Sequence, residues 1–166
     1  MSNEQIARIT MRRLSIPFKV PYWSMISTLS ALDTLIAEVQ MDNGRIGYGE
    51  AAIINGYTPE TMQGGWQFCL THSRQLIGKV STGALAVLKP HRHDQSHAVT
   101  CLTSAIQMAC QHPLLRQIDS DRRVPVVGAV QGHDAAGLPT EVETLLAAGF
   151  RTLKVKVGMN VQTDLA

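Results

Sequence analysis

The chain has 166 residues, 45% hydrophobic and 17% charged, with a formal net charge of +2. This composition specifies a globular protein with a core of useful size and excludes a disordered segment, which would lack the apolar content to fold. Basic residues occur only in short clusters such as Arg12-Arg13 and Arg122-Arg123, with no interleaved aromatics for bases to stack on, so nucleic acid is excluded as the expected partner.

The opening MSNEQIARIT is polar where a secretory signal would need a basic patch and an apolar core. The apolar runs are far shorter than the roughly 20 residues of a membrane-spanning helix. A cytoplasmic protein with no membrane partner is expected. Cys69, Cys101 and Cys110 form an odd set without a C-x-x-C pair, which fits a reducing compartment and small buried side chains.

Ile6 to Leu14 and Leu32 to Met41 alternate as half-buried strands do. Leu35, Ala37, Val39 and Met41 fall on one face, and Thr34, Glu38 and Gln40 on the other. Asp42-Asn43-Gly44 suits a tight hairpin turn, so Arg45 to Ala52 is expected to return as a third antiparallel strand. Between the first two strands, Pro17 to Leu29 holds two prolines, Tyr22 and Trp23, and reads as an aromatic binding loop rather than strand.

Thr58 as cap and Pro59 at the first helical position open a helix in which Met62, Trp66, Leu70 and Ile77 recur, and which Gly78 can end. A second helix, near Gln95 to Gln111, places Ala98, Leu102, Ala105, Ile106 and Ala109 on one core-packing side. The polar stretch Gln117 to Arg123 is the expected domain boundary.

From Val124 the pattern changes. VPVVGAV is nearly all apolar, as in a parallel strand covered on both faces. After the Gly- and Asp-containing Gln131 to Pro139, Thr140 and Glu143 form a Thr-x-x-Glu capping box, Gly149 closes a helix, and Arg151 to Val157 reads as another strand. Together they make one βαβ unit.

In RTLKVKV the alternation separates Leu153, Val155 and Val157 from Thr152, Lys154 and Lys156. Were this a barrel strand, the apolar set would face the surrounding helices and the lysines the lumen, with Lys156 nearest the mouth where barrel active sites lie. Two cations confined together disfavour each other's charge, which suits one of them to serve as a base. A lysine pair equally suits an exposed sheet edge that must not aggregate.

Four segments in order resemble one family. TLIAEVQMDN followed by GRIGYGEAA (Gly44 to Ala52) is similar to the capping-domain strand pair of the mandelate racemase/muconate lactonizing branch of the enolase superfamily. SAIQMA (Ser104 to Ala109) resembles its helix before the barrel, and GFRTLKVKVG (Gly149 to Gly158) its second barrel strand. The resemblance implies an α+β capping domain, an antiparallel three-stranded meander plus helices, over residues 1–117. An incomplete (β/α)8 barrel follows, its first βαβ unit spanning 124–166.

The resemblance further implies a fragment of a Mg²⁺-dependent isomerase or cycloisomerase that removes the proton α to a carboxylate, giving an enediolate held by the metal. Lys156 would be the general base, and Lys154 would tune it. The lysine pair points to racemase, epimerase or cycloisomerase relatives more than to sugar-acid dehydratases. The substrate, a small carboxylate, would be touched from Tyr22, Trp23 and Met25 and from Ile54 and Tyr57, whereas Glu50 reads as structural. Family metal ligands come from the third to fifth barrel strands and a second base from a later one, so this chain would carry no metal ligand and be inactive alone. A homo-oligomer is expected. Gln107 stands where relatives often carry Glu, and QHPLLRQIDSDRR replaces the usual end of that helix.

Other readings compete. His91, His93, Asp94 and His97 include a pair at zinc-site spacing, but nothing is spaced to complete the set. His133, in the loop after the first barrel strand, is a lone histidine. QGHDAAG lacks the G-x-G-x-x-G phosphate turn. A noncatalytic capping-domain remnant that self-associates through unpaired strands is the remaining alternative.

Overall fold

A computed structural model of the chain describes residues 4–23, 28–115, 123–132, 136–158 and 162. The chain divides into two compact units, Met1–Pro21 with Leu29–Gln117, and Tyr22–Thr28 with Ile118–Ala166.

The first unit is built on a sheet in the order β1 (Ile6–Trp23), β2 (Thr28–Met41), β3 (Ile46–Ala52). Strands β2 and β3 are antiparallel, with Ile36 opposite Glu50 and Val39 opposite Gly47. The alternation in β2 holds from Leu35 to Met41, where Leu35, Ala37, Val39 and Met41 are all buried, joined by Ala51 of β3, but Thr34, expected on the polar face, is buried as well. The intervening turn is closed by the Met41 amide donating to the Arg45 carbonyl at 2.8 Å. Gly44 alone supplies its positive φ, 85°, while Asn43 accepts from the Arg45 amide through its side chain.

Strand β1 corrects one expectation. The segment after Leu14 is not a loop, since strand continues through Pro17 and Pro21 to Trp23, and β2 begins at Thr28. β1 is the outer strand of this sheet, where proline is tolerated because the side away from β2 needs no continuous ladder of amide donors. Four residues apart, both prolines put their missing donors on the same side of the strand.

Three helices cover the sheet: α1 (Met62–Leu76), α2 (Ser81–Leu88) and α3 (Ser96–Ala109). Helix α1 starts later than the Thr58-Pro59 signal suggests. Its cap is Thr61, whose Oγ1 accepts from the Gly64 amide, because Thr58 is engaged by the Glu60 amide in a local turn. Its buried positions are Met62, Gly65, Cys69, Ser73 and Leu76, a stripe that keeps Met62 but runs one step round from the expected Trp66, Leu70 and Ile77, leaving Ile77 exposed. Gly65 explains the shift, since a Cβ there would lie 2.4 Å from the Ile53 side chain. The α3 face matches expectation: Ala98, Leu102, Ala105, Ile106 and Ala109 are all buried.

Helix α3 lies directly on β3. A Cβ at Gly49 would sit 1.9 Å from the Cys101 carbonyl oxygen, and one at Gly47 would sit 2.2 Å from that of Ala105. The glycines of GRIGYGEAA thus let a helix backbone rest on a strand backbone, opposite the small side chains of Cys101, Ala105 and Ala109. The Cys101 thiol donates to the Gly49 carbonyl within this contact. Cys69 is also buried, and its hydrogen bond with Cys101, with burial second, pushes its thiol well above the ordinary range.

Glu60 ties the loop before α1 to the start of α3. It is 4% exposed. Its carboxylate accepts from Ser96 Oγ at 2.8 Å, from the His97 amide at 3.0 Å and from His97 Nδ1 at 2.8 Å. An anion at a helix start satisfies orphan amides and meets the positive end of the helix dipole.

The second unit contains a βαβ unit: β4 (Val127–Ala129), α4 (Leu138–Ala147) and β5 (Thr152–Lys154), with β4 and β5 parallel and Ala129 opposite Lys154. Helix α4 begins before the expected capping box. Gly137 precedes it, Pro139 takes an early position, and Thr140 lies inside the first turn. Both strands are shorter than the apolar runs suggest. Val124, Val126, Val127, Val155 and Val157 are exposed, and only Gly128 and Val130 of the first run are buried. The expected boundary at Gln117 to Arg123 lies, except for Arg123, outside the described residues. Among the described residues no helix is long and apolar enough to cross a membrane.

Candidate functional site

The second unit brings one set of side chains together around Lys156. The Val130 amide donates to the Lys154 carbonyl at 3.0 Å, extending the β4–β5 pairing and setting Gln131 beside the stretch that carries Lys156. Lys156 Nζ donates to Gln131 Oε1 at 3.3 Å. The same ammonium lies 3.6 Å from the centre of the Tyr22 ring. A cation over the negative face of an aromatic ring is attracted to it, so Tyr22 and Gln131 hold the amine from two directions.

Gln131 is itself held. Glu141, in the first turn of α4, accepts from the Gln131 amide at 2.8 Å and from the Gly132 amide at 2.7 Å, one through each carboxylate oxygen. A Cβ at position 132 would lie 2.8 Å from that carboxylate, so glycine permits the approach. Sequence reasoning missed both Gln131 and Glu141. The available signal was Gln131 as the first polar residue after the VPVVGAV run and a carboxylate one turn into the next helix.

Of the two lysines, Lys156 is half-buried and Lys154 exposed at the last position of β5. The site offers a primary amine with a neutral hydrogen-bond acceptor and an aromatic face, an arrangement that can take or give a single proton in a fixed direction.

The other expected substrate contacts distribute as follows. Trp23 ends β1, with its side chain outside the description, and Met25 lies outside the described residues, as does His133. Ile54 and Tyr57 belong to the first unit, in a turn closed by the Tyr57 amide donating to the Ile54 carbonyl at 3.2 Å, with Gly56 at φ 94°. Tyr57 is exposed. Glu50 accepts a 2.9 Å hydrogen bond from Thr34 Oγ1 across the sheet.

Among the described residues, the candidate zinc ligands His91, His93, Asp94 and His97 do not form a metal-ligating group. His97 is turned onto Glu60, and His91 packs edge-on against His72, their ring centres 4.7 Å apart. Among the described residues no group of three His, Cys, Asp or Glu side chains stands close enough to hold a metal ion.

No protein-family model matches the chain. It is 27% identical to the L-Ala-D/L-Glu epimerase of Bacillus subtilis over 178 residues, covering 98% of this chain and 47% of that protein. The structure superposes with a TM-score of 0.84 on a mandelate racemase/muconate lactonizing protein from Herpetosiphon aurantiacus, at 20% identity, covering 99% of this chain and 49% of the other. The chain is related to the enolase superfamily. A dipeptide epimerase from Methylococcus capsulatus, solved with Mg and the dipeptide L-Arg-D-Lys, superposes with a TM-score of 0.78 at 23% identity, covering 97% of this chain and 48% of the other.

The three-stranded sheet with its helices matches the capping-domain fold of enolase-superfamily proteins. The chain spans about half the length of the relatives it matches. Magnesium is bound in the Methylococcus structure. The described residues of this chain do not by themselves fit that ion, having no converging set of ligands.

Proposed function

We propose that this chain supplies the capping domain, residues 1–117, and the first βαβ unit of a (β/α)8 barrel, residues 124–166, to an enolase-superfamily isomerase that removes the proton α to a carboxylate. Lys156 is the base. The observation that carries this reading is the half-buried Lys156 amine, held between the Tyr22 ring and the Gln131 amide just beyond the C-terminal end of β5. In parallel βα folds that end of a strand is where functional groups collect.

The neutral amine would take the Cα proton as the C–H bonding pair moves into the carboxylate to form an enediolate, and return of a proton to the opposite face would invert the centre. The second proton donor and the groups that stabilise the enediolate lie outside the described residues. Lys154, two residues earlier at the last position of β5, is the second lysine of the proposed pair and would tune Lys156 electrostatically. Tyr22, Trp23 and Met25, with Ile54 and Tyr57, are the proposed substrate contacts.

A dipeptide is the favoured substrate class, because the Bacillus relative is an L-Ala-D/L-Glu epimerase and the Methylococcus structure holds a dipeptide. The test extends the chain with whatever its gene encodes after Ala166 and follows loss of the dipeptide α-proton signal in deuterated buffer containing Mg²⁺. Exchange that Lys156→Ala abolishes supports the reading. Exchange that survives Lys156→Ala removes Lys156 from the role of base, and an extension encoding no further barrel strands removes the catalytic reading.

A further inference from the structure

We infer that Gln131 is a positioning residue for Lys156, its side-chain carbonyl fixing the direction in which the amine is presented. This rests on Lys156 being the proton-transfer group proposed above. A lysine amine ends a flexible four-carbon stem with many rotamers, and proton transfer requires it within hydrogen-bonding reach of one substrate atom. The 3.3 Å bond to Gln131 Oε1 commits one N–H direction, and the Tyr22 ring blocks another.

Three features show that Gln131 is placed rather than incidental. The Val130–Lys154 backbone bond sets its register against the lysine strand. Glu141 then clamps the amides of Gln131 and Gly132, so the backbone carrying the glutamine is anchored to α4. Finally, the absence of a Cβ at residue 132 leaves room for that clamp.

The residue type matters as much as the place. A carboxylate at position 131 would form an ion pair and hold the lysine in its charged form, which cannot accept a proton. A glutamine orients the amine while adding no charge. Among the described residues, Lys154 lies two positions before Lys156 at the end of β5, Glu141 is committed to backbone amides, and the residue that meets Lys156 from β4's end is the uncharged Gln131.

The experiment labels lysines of the 166-residue chain with an acylating reagent as a function of pH and reads Lys156 and Lys154 separately by peptide mass spectrometry. Gln131→Glu, which keeps size and polarity, should raise the half-labelling pH of Lys156 by about one unit. Gln131→Leu should label Lys156 about ten-fold faster at fixed pH, because the hydrogen bond it removes favours the ammonium form. Lys154 should not move in either.

If Gln131→Glu leaves the Lys156 profile where it stands in the unsubstituted chain, the positioning role is overturned, whatever Gln131→Leu does to folding. Labelling reads the amine and not turnover. A failed α-proton exchange test with shifted labelling would therefore overturn the catalytic role of Lys156 and leave the Gln131 contact standing, and the converse result would do the reverse.

Discussion

The Lys156 ammonium sits 3.6 Å from the centre of the Tyr22 ring, joining residues separated by most of the chain within one compact unit. Such contacts contribute about 0.5–1 kcal/mol when partly exposed, and they depend on the ring and not on the hydroxyl. Tyr22→Phe should therefore retain the coupling and Tyr22→Leu lose it. A double-mutant cycle with Lys156→Met, read by urea unfolding, should give a coupling energy of about 0.5–1 kcal/mol for the Leu cycle. Additive effects would show that the two groups do not interact.

Gly49→Ala should be among the most damaging single-methyl additions in the chain. The new Cβ would meet the Cys101 carbonyl oxygen at 1.9 Å and the Ala105 amide nitrogen at 2.7 Å, both backbone atoms that cannot rotate away. Overpacking of this kind costs about 3 kcal/mol at the upper end of its usual range. Urea denaturation should show a loss of that order, while Gly83→Ala, whose Cβ would meet nothing closer than a Val80 methyl at 3.8 Å, should be neutral or stabilising.

The features legible in the sequence were those encoded locally. Alternation placed Leu35, Ala37, Val39 and Met41 in the core, a three-residue turn was visible in Asp-Asn-Gly, and helical spacing assigned the buried face of α3. The lysine pair was read from the same alternation, but β5 ends at Lys154 and Lys156 lies beyond the strand.

What escaped depends on partners distant in sequence. Pro17 and Pro21 read as loop because proline breaks a central strand, and nothing nearby reveals that β1 is an edge. Helix α2 is short, and its apolar residues leave no clear period. Thr58 and Thr61 are both plausible caps by type, and the choice follows from burial of Glu60 against α3. The contacts among Gln131, Glu141 and Lys156 need the strands paired before they exist.

Acid should weaken the first unit through Glu60. Burial opposes its charge, but hydrogen bonds from the His97 backbone and ring, from Ser96 and from the Ala98 amide outweigh that penalty and hold the carboxyl below its ordinary value of 4.5. A depressed folded-state value contributes stability that is complete above the unfolded-state value and is lost as pH falls through the folded one. Thermal midpoints should therefore decline as pH drops below about 4.5. Glu60→Gln should be less stable at neutral pH by about 2–3 kcal/mol, the scale of a hydrogen bond to a charged group, with a flatter acid profile. Some slope should persist from Asp33, whose carboxyl is lowered by side-chain hydrogen bonds from Ser15 and Arg13.

Hydrogen exchange should separate the two sheets. Strands β2 and β3 pair over seven residues, from Thr34 opposite Ala52 to Gln40 opposite Ile46, with one face buried beneath α3. Strands β4 and β5 pair over only three, and Val124, Val126, Val127, Val155 and Val157 around them are exposed. Two-stranded sheets are marginal without a covered apolar face, and local opening free energies fall where few apolar contacts oppose opening. The Val130 amide, although bonded to the Lys154 carbonyl, should thus exchange much faster than the paired amides of Ala37 and Val39, by at least about 100-fold if the opening energies differ by roughly 3 kcal/mol. Equal protection would show that the β4–β5 pair opens only with the whole molecule. Addition of a polypeptide that covers those valines should slow exchange at Val130 and leave Ala37 and Val39 unchanged.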